Sequence, residues 1–215
     1  MTENPGANVQ KFFIVLVVAL LLGAAGLLIA RFTGRQGPLP RPGAFPAEWH
    51  LAPGSPGQQR LDELLGQPVP RLDLADWVGP EVPRQSLAGK IVVLDFWATW
   101  CKPCLAAIPH NNELVAQYAG RGVLLIGVAA HTDPVATIAR IAKDQDVRYP
   151  IARDASGATA QAWGISFYPT YAVIDRRGLV RAVGLQPEYV ASAIEKLLAE
   201  DAAASSSAPA THPGG

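Results

Sequence analysis

The stretch "IVVLDFWATWCKPC", Ile91 to Cys104, holds both cysteines of a 215-residue chain, two of its five tryptophans and one carboxylate. Its first seven residues are apolar except for Asp95, the pattern of a strand covered on both faces. The pair Cys101-Lys102-Pro103-Cys104 then sits where that strand gives way to a helix. A helix N-terminus carries unpaired N–H groups that favour an anion. Cys101, at or just before that terminus and beside Lys102, is therefore placed to ionise and attack. Cys104, one turn further on, is expected to be buried and suited to resolving a mixed disulfide, and Pro103 holds the turn. A bridge between residues three apart closes almost no chain and adds little through loop entropy, so reactivity explains the pair better than structure.

Asp95 is the other oddity. An isolated carboxylate in an apolar strand is costly unless it is neutral, hydrogen-bonded or used in chemistry. Burial raises its proton affinity, which makes it a candidate proton acceptor for Cys104; the plainer alternative is an aspartate at a frayed strand end, facing water. Trp97 reads as core. Trp100, next to the nucleophile, either shields one side of the reactive surface or simply packs.

Composition narrows the chemistry. A hydrophobic fraction of 49% is ample for a core, and a formal net charge of zero gives no general attraction to nucleic acid. Two cysteines cannot build a multi-bridge secreted scaffold. A structural zinc site needs about four ligands, whereas His50, His110, His131 and His212 are scattered without ligand spacing. Covalent haem attachment needs a histidine directly after the second cysteine, and Leu105 stands there. No metal or other cofactor is expected beyond the dithiol itself.

Five segments follow from patterning. Residues 1–11 form a short N-terminal segment. Residues 12–30, "FFIVLVVALLLGAAGLLIA", are uncharged and mainly aliphatic, and as a helix would span about 28 Å, enough for a bilayer core. A cleaved signal peptide is the alternative, but the apolar run continues past Gly23-Ala24-Ala25. Residues 31–60 are Pro/Gly-rich and expected to be an extended tether, with a short helix near "QQRLDELLG". Residues 61–200 alternate strand and helix, and residues 201–215 are a small-residue tail expected to be disordered.

Within 61–200, "RLDL" and "EVPRQ" are expected to form an N-terminal hairpin before the 91–97 strand. Cys104 to Tyr118 is expected to be a helix with Pro109 as a kink. "VLLIGVAA" is a buried strand, and "TDPVATIARIAKDQ" a helix with Asp133 as N-cap and Pro134 at its first position. A short strand near "YPIA" and an Ala-rich helix follow. "YAVID" and "LVRAVG" make a hairpin around "RRG", and "PEYVASAIEKLLAE" is a closing amphipathic helix. The class is α/β: a central mixed sheet flanked by helices.

These residues carry a resemblance. "VVLDFWATWCKPC", with Pro109 five residues after Cys104, resembles the active-site strand and helix of thioredoxins, and "GISFYPTYAVID" resembles the segment carrying their cis-proline, at Pro169. The 65 residues from Cys104 to Pro169 exceed plain thioredoxin spacing. The surplus resembles the extra strand–helix insertion of membrane-anchored TlpA/ResA-like thiol–disulfide oxidoreductases, of the redoxin group. The resemblance covers roughly Leu64 to Leu198 and implies a thioredoxin-like fold preceded by one transmembrane helix.

It also implies an exposed Cys101, a redox-active Cys101–Cys104 disulfide, and a substrate surface built from Trp100, Lys102, Pro103, Tyr168, Pro169 and Thr170. The cis-proline loop would pair its backbone with an extended substrate segment. Two positions depart from the pattern: many TlpA-like proteins have Asn where Asp95 stands, and Ala107 replaces a glutamate of the cytochrome-maturation relatives.

The implied function is reduction of disulfides in extracytoplasmic proteins by a membrane-tethered domain, recharged by a membrane thiol donor of the DsbD/CcdA kind. No nucleic-acid partner is implied. Lys11 before the span against Arg31, Arg35 and Arg41 after it leans towards the opposite orientation. Alternatives are a net oxidase or isomerase using the same pair, a peroxiredoxin-like peroxidase, and a non-catalytic tethered binding module. The peroxidase would need a Thr and Pro upstream of one cysteine, and "FWATWC" lacks that Pro.

Overall fold

The computed structural model describes residues 45–207. Strands β1 (Ala75–Val78), β2 (Ile91–Trp97), β3 (Val123–Ala129), β4 (Ile151–Arg153), β5 (Thr170–Ile174) and β6 (Val180–Leu185) form one sheet in the order β1-β4-β3-β2-β5-β6. β2, β3 and β4 run parallel; β5 pairs antiparallel with β2 and β6 antiparallel with β5, and β1 pairs antiparallel with β4. The helices are α1 (Pro56–Asp62), α2 (Lys102–Gln117), α3 (Val135–Asp144), α4 (Ala158–Ala162) and α5 (Val190–Ser207).

β2 is the middle of the structure, and every one of its seven residues is buried. Alternation sorts its side chains between two cores. Ile91, Val93 and Trp97 pack with Ile108 and Leu114 of α2, Ile138 of α3 and Ile194 and Leu197 of α5. Val92, Leu94 and Phe96 pack on the other side with Leu61, Trp163 and Val180. Two covered faces are why the sequence reads as an unbroken apolar run. α5 buries Val190, Ala193, Ile194 and Leu197, one helical stripe. The strand and helix expected inside the Cys104–Pro169 spacing are β4 and α4. The β5–β6 hairpin turns at Gly178, whose φ of 78° suits glycine.

The structure corrects five expectations. The hairpin expected from "RLDL" and "EVPRQ" does not form: of residues 71–85, 75–78 is the strand, paired to β4, and Arg84–Leu87 is a 3-10 turn. Pro83, lacking an N–H, starts that turn rather than joining a ladder. Pro134, not Asp133, is the N-cap of α3, because the Asp133 carboxylate is taken by Thr99. The α1 helix ends at Asp62 rather than Gly66.

The later part of the expected tether, residues 45–60, belongs to the folded domain. Trp49 stacks between Phe45 and Tyr189, ring centroids 5.5 Å from each. His50 bridges to Leu185 and the Leu51 N–H donates to Gly184 O. Ser55 caps α1 by accepting from the Gln58 N–H, and buried Gln58 donates to Val183 O at 2.9 Å. At the far end of β6, Gly66 donates to Val180 O and Val180 to Gln67 O. An edge strand is thereby shielded at both ends by chain that precedes the sheet.

Of the expected disordered tail, 201–207 continues α5, with Asp201 paired to Arg176 at 2.7 Å. The expected segment 1–11, membrane span 12–30, tether residues 31–44 and tail residues 208–215 lie outside the described residues. Among the described residues no helix is long and apolar enough to cross a membrane.

Candidate active site

β2 ends at Trp97, and the loop Ala98-Thr99-Trp100 carries the chain to α2. Cys101 N donates to Ala98 O, and Ala130 N to Trp97 O. The Asp133 carboxylate grips this loop twice, accepting from the Thr99 N–H at 2.8 Å and from its hydroxyl at 2.9 Å. Cys101 is the N-cap of α2, and its Sγ accepts from the Cys104 N–H at 3.2 Å. The first cysteine sulfur thus fills the role that a Ser or Asp oxygen plays at other helix starts, with a backbone donor aimed at it.

Cys101 and Cys104 are joined as a disulfide. Their exposures are 4% and 1%. The exposed Cys101 implied by resemblance is corrected for this oxidised state: its sulfur turns inward to cap the helix and bond its partner. Trp100 stands out instead, at 68% exposure, its ring edge-on to Tyr168 at 6.0 Å. Lys102 and Pro103 are exposed beside it.

The Tyr168–Pro169 peptide bond is cis. Phe96 pairs with Thr170 in the β2–β5 register, so the Tyr168-Pro169 segment lies beside the end of β2 from which the dithiol loop leaves. Tyr168 is half-buried and its hydroxyl proton is held more tightly than usual, through burial first and then the Asp133 and Asp154 charges. Pro169 is buried. Thr170 is fully buried and donates its hydroxyl to Phe167 O at 2.8 Å, so its side chain is not presented to a substrate.

Asp95 lies at 2% exposure on the α2 side of β2. Its Oδ2 accepts from Asn111 Nδ2 at 2.9 Å. Burial pushes its pKa up to about 7, against the lowering influence of Asn111 and the Tyr171 hydroxyl. A carboxylate with that affinity exchanges its proton near neutral pH, as a general acid–base group must.

Sequence reasoning missed Asn111, Tyr149 and Tyr171, and gave Asp133 a helix-capping role in place of its grip on Thr99. For Asn111 a signal existed: Cys104, Ile108, Asn111 and Leu114 recur at three- and four-residue spacing on the buried stripe of α2, and an amide on such a stripe needs a partner. Among the described residues no cluster of three or more His, Cys, Asp or Glu could hold a metal ion.

Comparison with known proteins agrees with this geometry. A profile of the AhpC/TSA family matches residues 65–183. The thiol-disulfide oxidoreductase ResA of Bacillus thuringiensis subsp. konkukian (strain 97-27) is 34% identical over 116 residues, 54% of this chain and 66% of that protein. The ResA of Geobacillus thermodenitrificans (strain NG80-2) is 33% identical over 119 residues, 55% of this chain and 68% of that protein. A solved thiol:disulfide interchange protein of the thioredoxin family from Chlorobium tepidum TLS superposes with a TM-score of 0.51 at 26% identity, covering 61% of this chain and 97% of that one. With a thioredoxin-like fold, and a profile that spans more than half of its residues, the chain belongs to the AhpC/TSA family.

Proposed function

We propose that this domain is a thiol–disulfide oxidoreductase that reduces disulfides of other proteins through Cys101 and Cys104. The observation that carries the reading is the position of Cys101 Sγ, at the N-cap of α2, accepting from Cys104 N and bonded to Cys104 Sγ. In the reduced state the same backbone donor and helix dipole favour a Cys101 thiolate. That thiolate attacks one sulfur of a substrate disulfide, whose S–S bond breaks and whose other sulfur leaves as a thiolate. Cys104 then gives its proton to Asp95 and attacks Cys101 Sγ. The mixed disulfide breaks, the second substrate sulfur leaves as a thiolate, and the Cys101–Cys104 bond forms. The substrate has gained two electrons and the domain has lost two.

Trp100, Lys102, Pro103 and Tyr168 form the outward face on which a substrate would lie, with the Pro169 backbone beside it. The ResA name of its relatives favours the same chemistry. Residues 12–30 would hold the domain to the cytoplasmic membrane, facing outward, where a membrane thiol donor of the DsbD/CcdA kind would recharge it. Alkylation of Cys101 by a membrane-impermeant maleimide, in intact cells first treated with a thiol reductant, tests that placement; protection until lysis would overturn it.

The direction of electron flow is tested by the reduction potential. A value of about −270 mV, as in thioredoxin, fits a reductase, whereas about −120 mV, as in the strong oxidant DsbA, would make the domain an oxidase. The activity itself is tested with Cys104→Ala, which should accumulate mixed disulfides on Cys101. Absence of adducts, together with no reduction of insulin by the wild-type chain, would remove the proposal.

A further inference from the structure

Asn111 lies at zero exposure on α2 with three side-chain partners from three other parts of the fold. Its Nδ2 donates to Asp95 Oδ2 on β2 at 2.9 Å and to the Tyr149 hydroxyl, just before β4, at 3.3 Å. Its Oδ1 accepts from the Tyr171 hydroxyl on β5 at 3.1 Å. The orientation of the amide is fixed by chemistry. A carboxylate can only accept, so the NH₂ end must face Asp95. The carbonyl end then faces Tyr171, which has to donate.

Tyr171 is the direct cross-strand neighbour of Asp95 in the β2–β5 register. It could otherwise give its proton to the carboxylate; instead that proton is on Asn111. Asp95 Oδ1 accepts from no protein donor among the described residues. The carboxyl therefore has one oxygen occupied and one open, in a site where nearly every other polar atom is paired.

We propose that Asn111 is a positioning residue: it holds Asp95 by a single oxygen, accepts the Tyr171 hydroxyl proton, and so leaves one carboxylate oxygen open as the proton-accepting atom. The role in exchange rests on the thiol–disulfide reading above.

The surroundings fit. From β3 the register partner of Asp95 is Gly127, which carries no titratable group. Tyr171 and Tyr149 are the titratable groups coupled to it from β5 and the segment before β4. Both phenols hold their protons well above the ordinary range, by burial first and then by the Asp95 charge, so both stay neutral. Burial dominates the carboxyl; Asn111 is the larger opposing influence and the Tyr171 hydroxyl the smaller.

The test follows the Asp95 carboxyl carbon by ¹³C NMR across pH in the oxidised full chain, its resonance identified by its loss in Asp95→Asn. Tyr171→Phe removes a hydroxyl whose proton is given to Asn111 and whose influence on Asp95 is smaller than that of Asn111, and should raise the titration midpoint by less than about half a pH unit. Asn111→Leu in the Tyr171→Phe chain removes the remaining donor and should raise the midpoint by about one to two pH units. Asn111→Leu alone should raise it less, because the freed Tyr171 hydroxyl turns to Asp95.

A shift of one pH unit or more in Tyr171→Phe alone would overturn the assignment, and that conservative variant decides the matter even if Asn111→Leu fails to fold. An Asn111→Leu/Tyr171→Phe midpoint equal to that of Tyr171→Phe would overturn it as well. The titration judges Asn111 independently of turnover. If Asp95 follows Asn111 but the wild-type chain does not reduce insulin, the reading of the activity falls and the assignment stands.

Discussion

Asp133 and Thr99 are joined by two hydrogen bonds, backbone N–H to Oδ2 at 2.8 Å and hydroxyl to Oδ1 at 2.9 Å, with Asp133 only 2% exposed. This clamp fixes the loop that delivers Trp100 and Cys101 to the start of α2. Asp133→Ala leaves a partly buried N–H and hydroxyl without their protein acceptor, and charge-assisted bonds are the stronger kind. The expected loss is about 2–3 kcal/mol in urea unfolding, against about 1 kcal/mol for Thr99→Val, which keeps the backbone bond. The same variants should slow exchange at Cys101 in that order.

Asp95 makes stability depend on pH in a defined direction. Its pKa in the folded chain is about 7 against an ordinary value of 3.8, so the folded state holds a proton that the unfolded chain has released. Stability therefore falls as pH rises from about 4 through about 7 and is flat above. Roughly three pH units at about 1.4 kcal/mol each bound the effect at about 4 kcal/mol. Asp95→Asn should be more stable than wild type by up to that amount at pH 8, with no difference below pH 4. Urea unfolding at a series of pH values measures it, and stopped-flow exchange should show a slower resolving step in the same variant.

Trp49 is sandwiched between Phe45 and Tyr189, and Lys196 lies over the Phe45 ring at 5.1 Å. Trp49→Ala removes both stacking contacts and loosens the segment that bridges to Leu185. A loss of about 2–3 kcal/mol is expected in chemical unfolding, with the Cys101–Cys104 reduction potential unchanged.

Gly127 faces Asp95 across the β2–β3 pair. A Cβ there would lie 3.2 Å from Ile151 Cγ1 and Trp97 Nε1 and 3.3 Å from Tyr149 Cε2. Gly127→Ala therefore presses on the Trp97 and Tyr149 rings. Overpacking of this kind costs about 1–3 kcal/mol, and near-ultraviolet circular dichroism should report the displaced Trp97.

The strand at 91–97 and the dithiol helix were legible because their signals are local: one apolar run, one carboxylate in it, one pair of thiols three apart. The sheet interior, the β5–β6 hairpin and the α5 stripe follow from the same short-range periodicities. What surrounds the carboxyl was not legible. Asn111 is 16 residues from Asp95, 38 from Tyr149 and 60 from Tyr171, and no pattern in any one segment announces their meeting. Thr99 and Asp133 are 34 apart, and the helix-start pattern at 133–134 pointed Asp133 at the wrong partner. The docking of 45–51 onto β6 spans still more chain, His50 meeting Val183 across 133 residues. A Pro/Gly-rich composition suggested a free leash because it records local stiffness and not the aromatic stack at Phe45, Trp49 and Tyr189.

The shielding of β6 has a bearing on self-association. A second copy seeking to zip its own backbone onto that margin would first have to peel off Leu51 at one end and Gly66 with Gln67 at the other. Edge-to-edge growth of a sheet through β6 is thus obstructed at both of its ends.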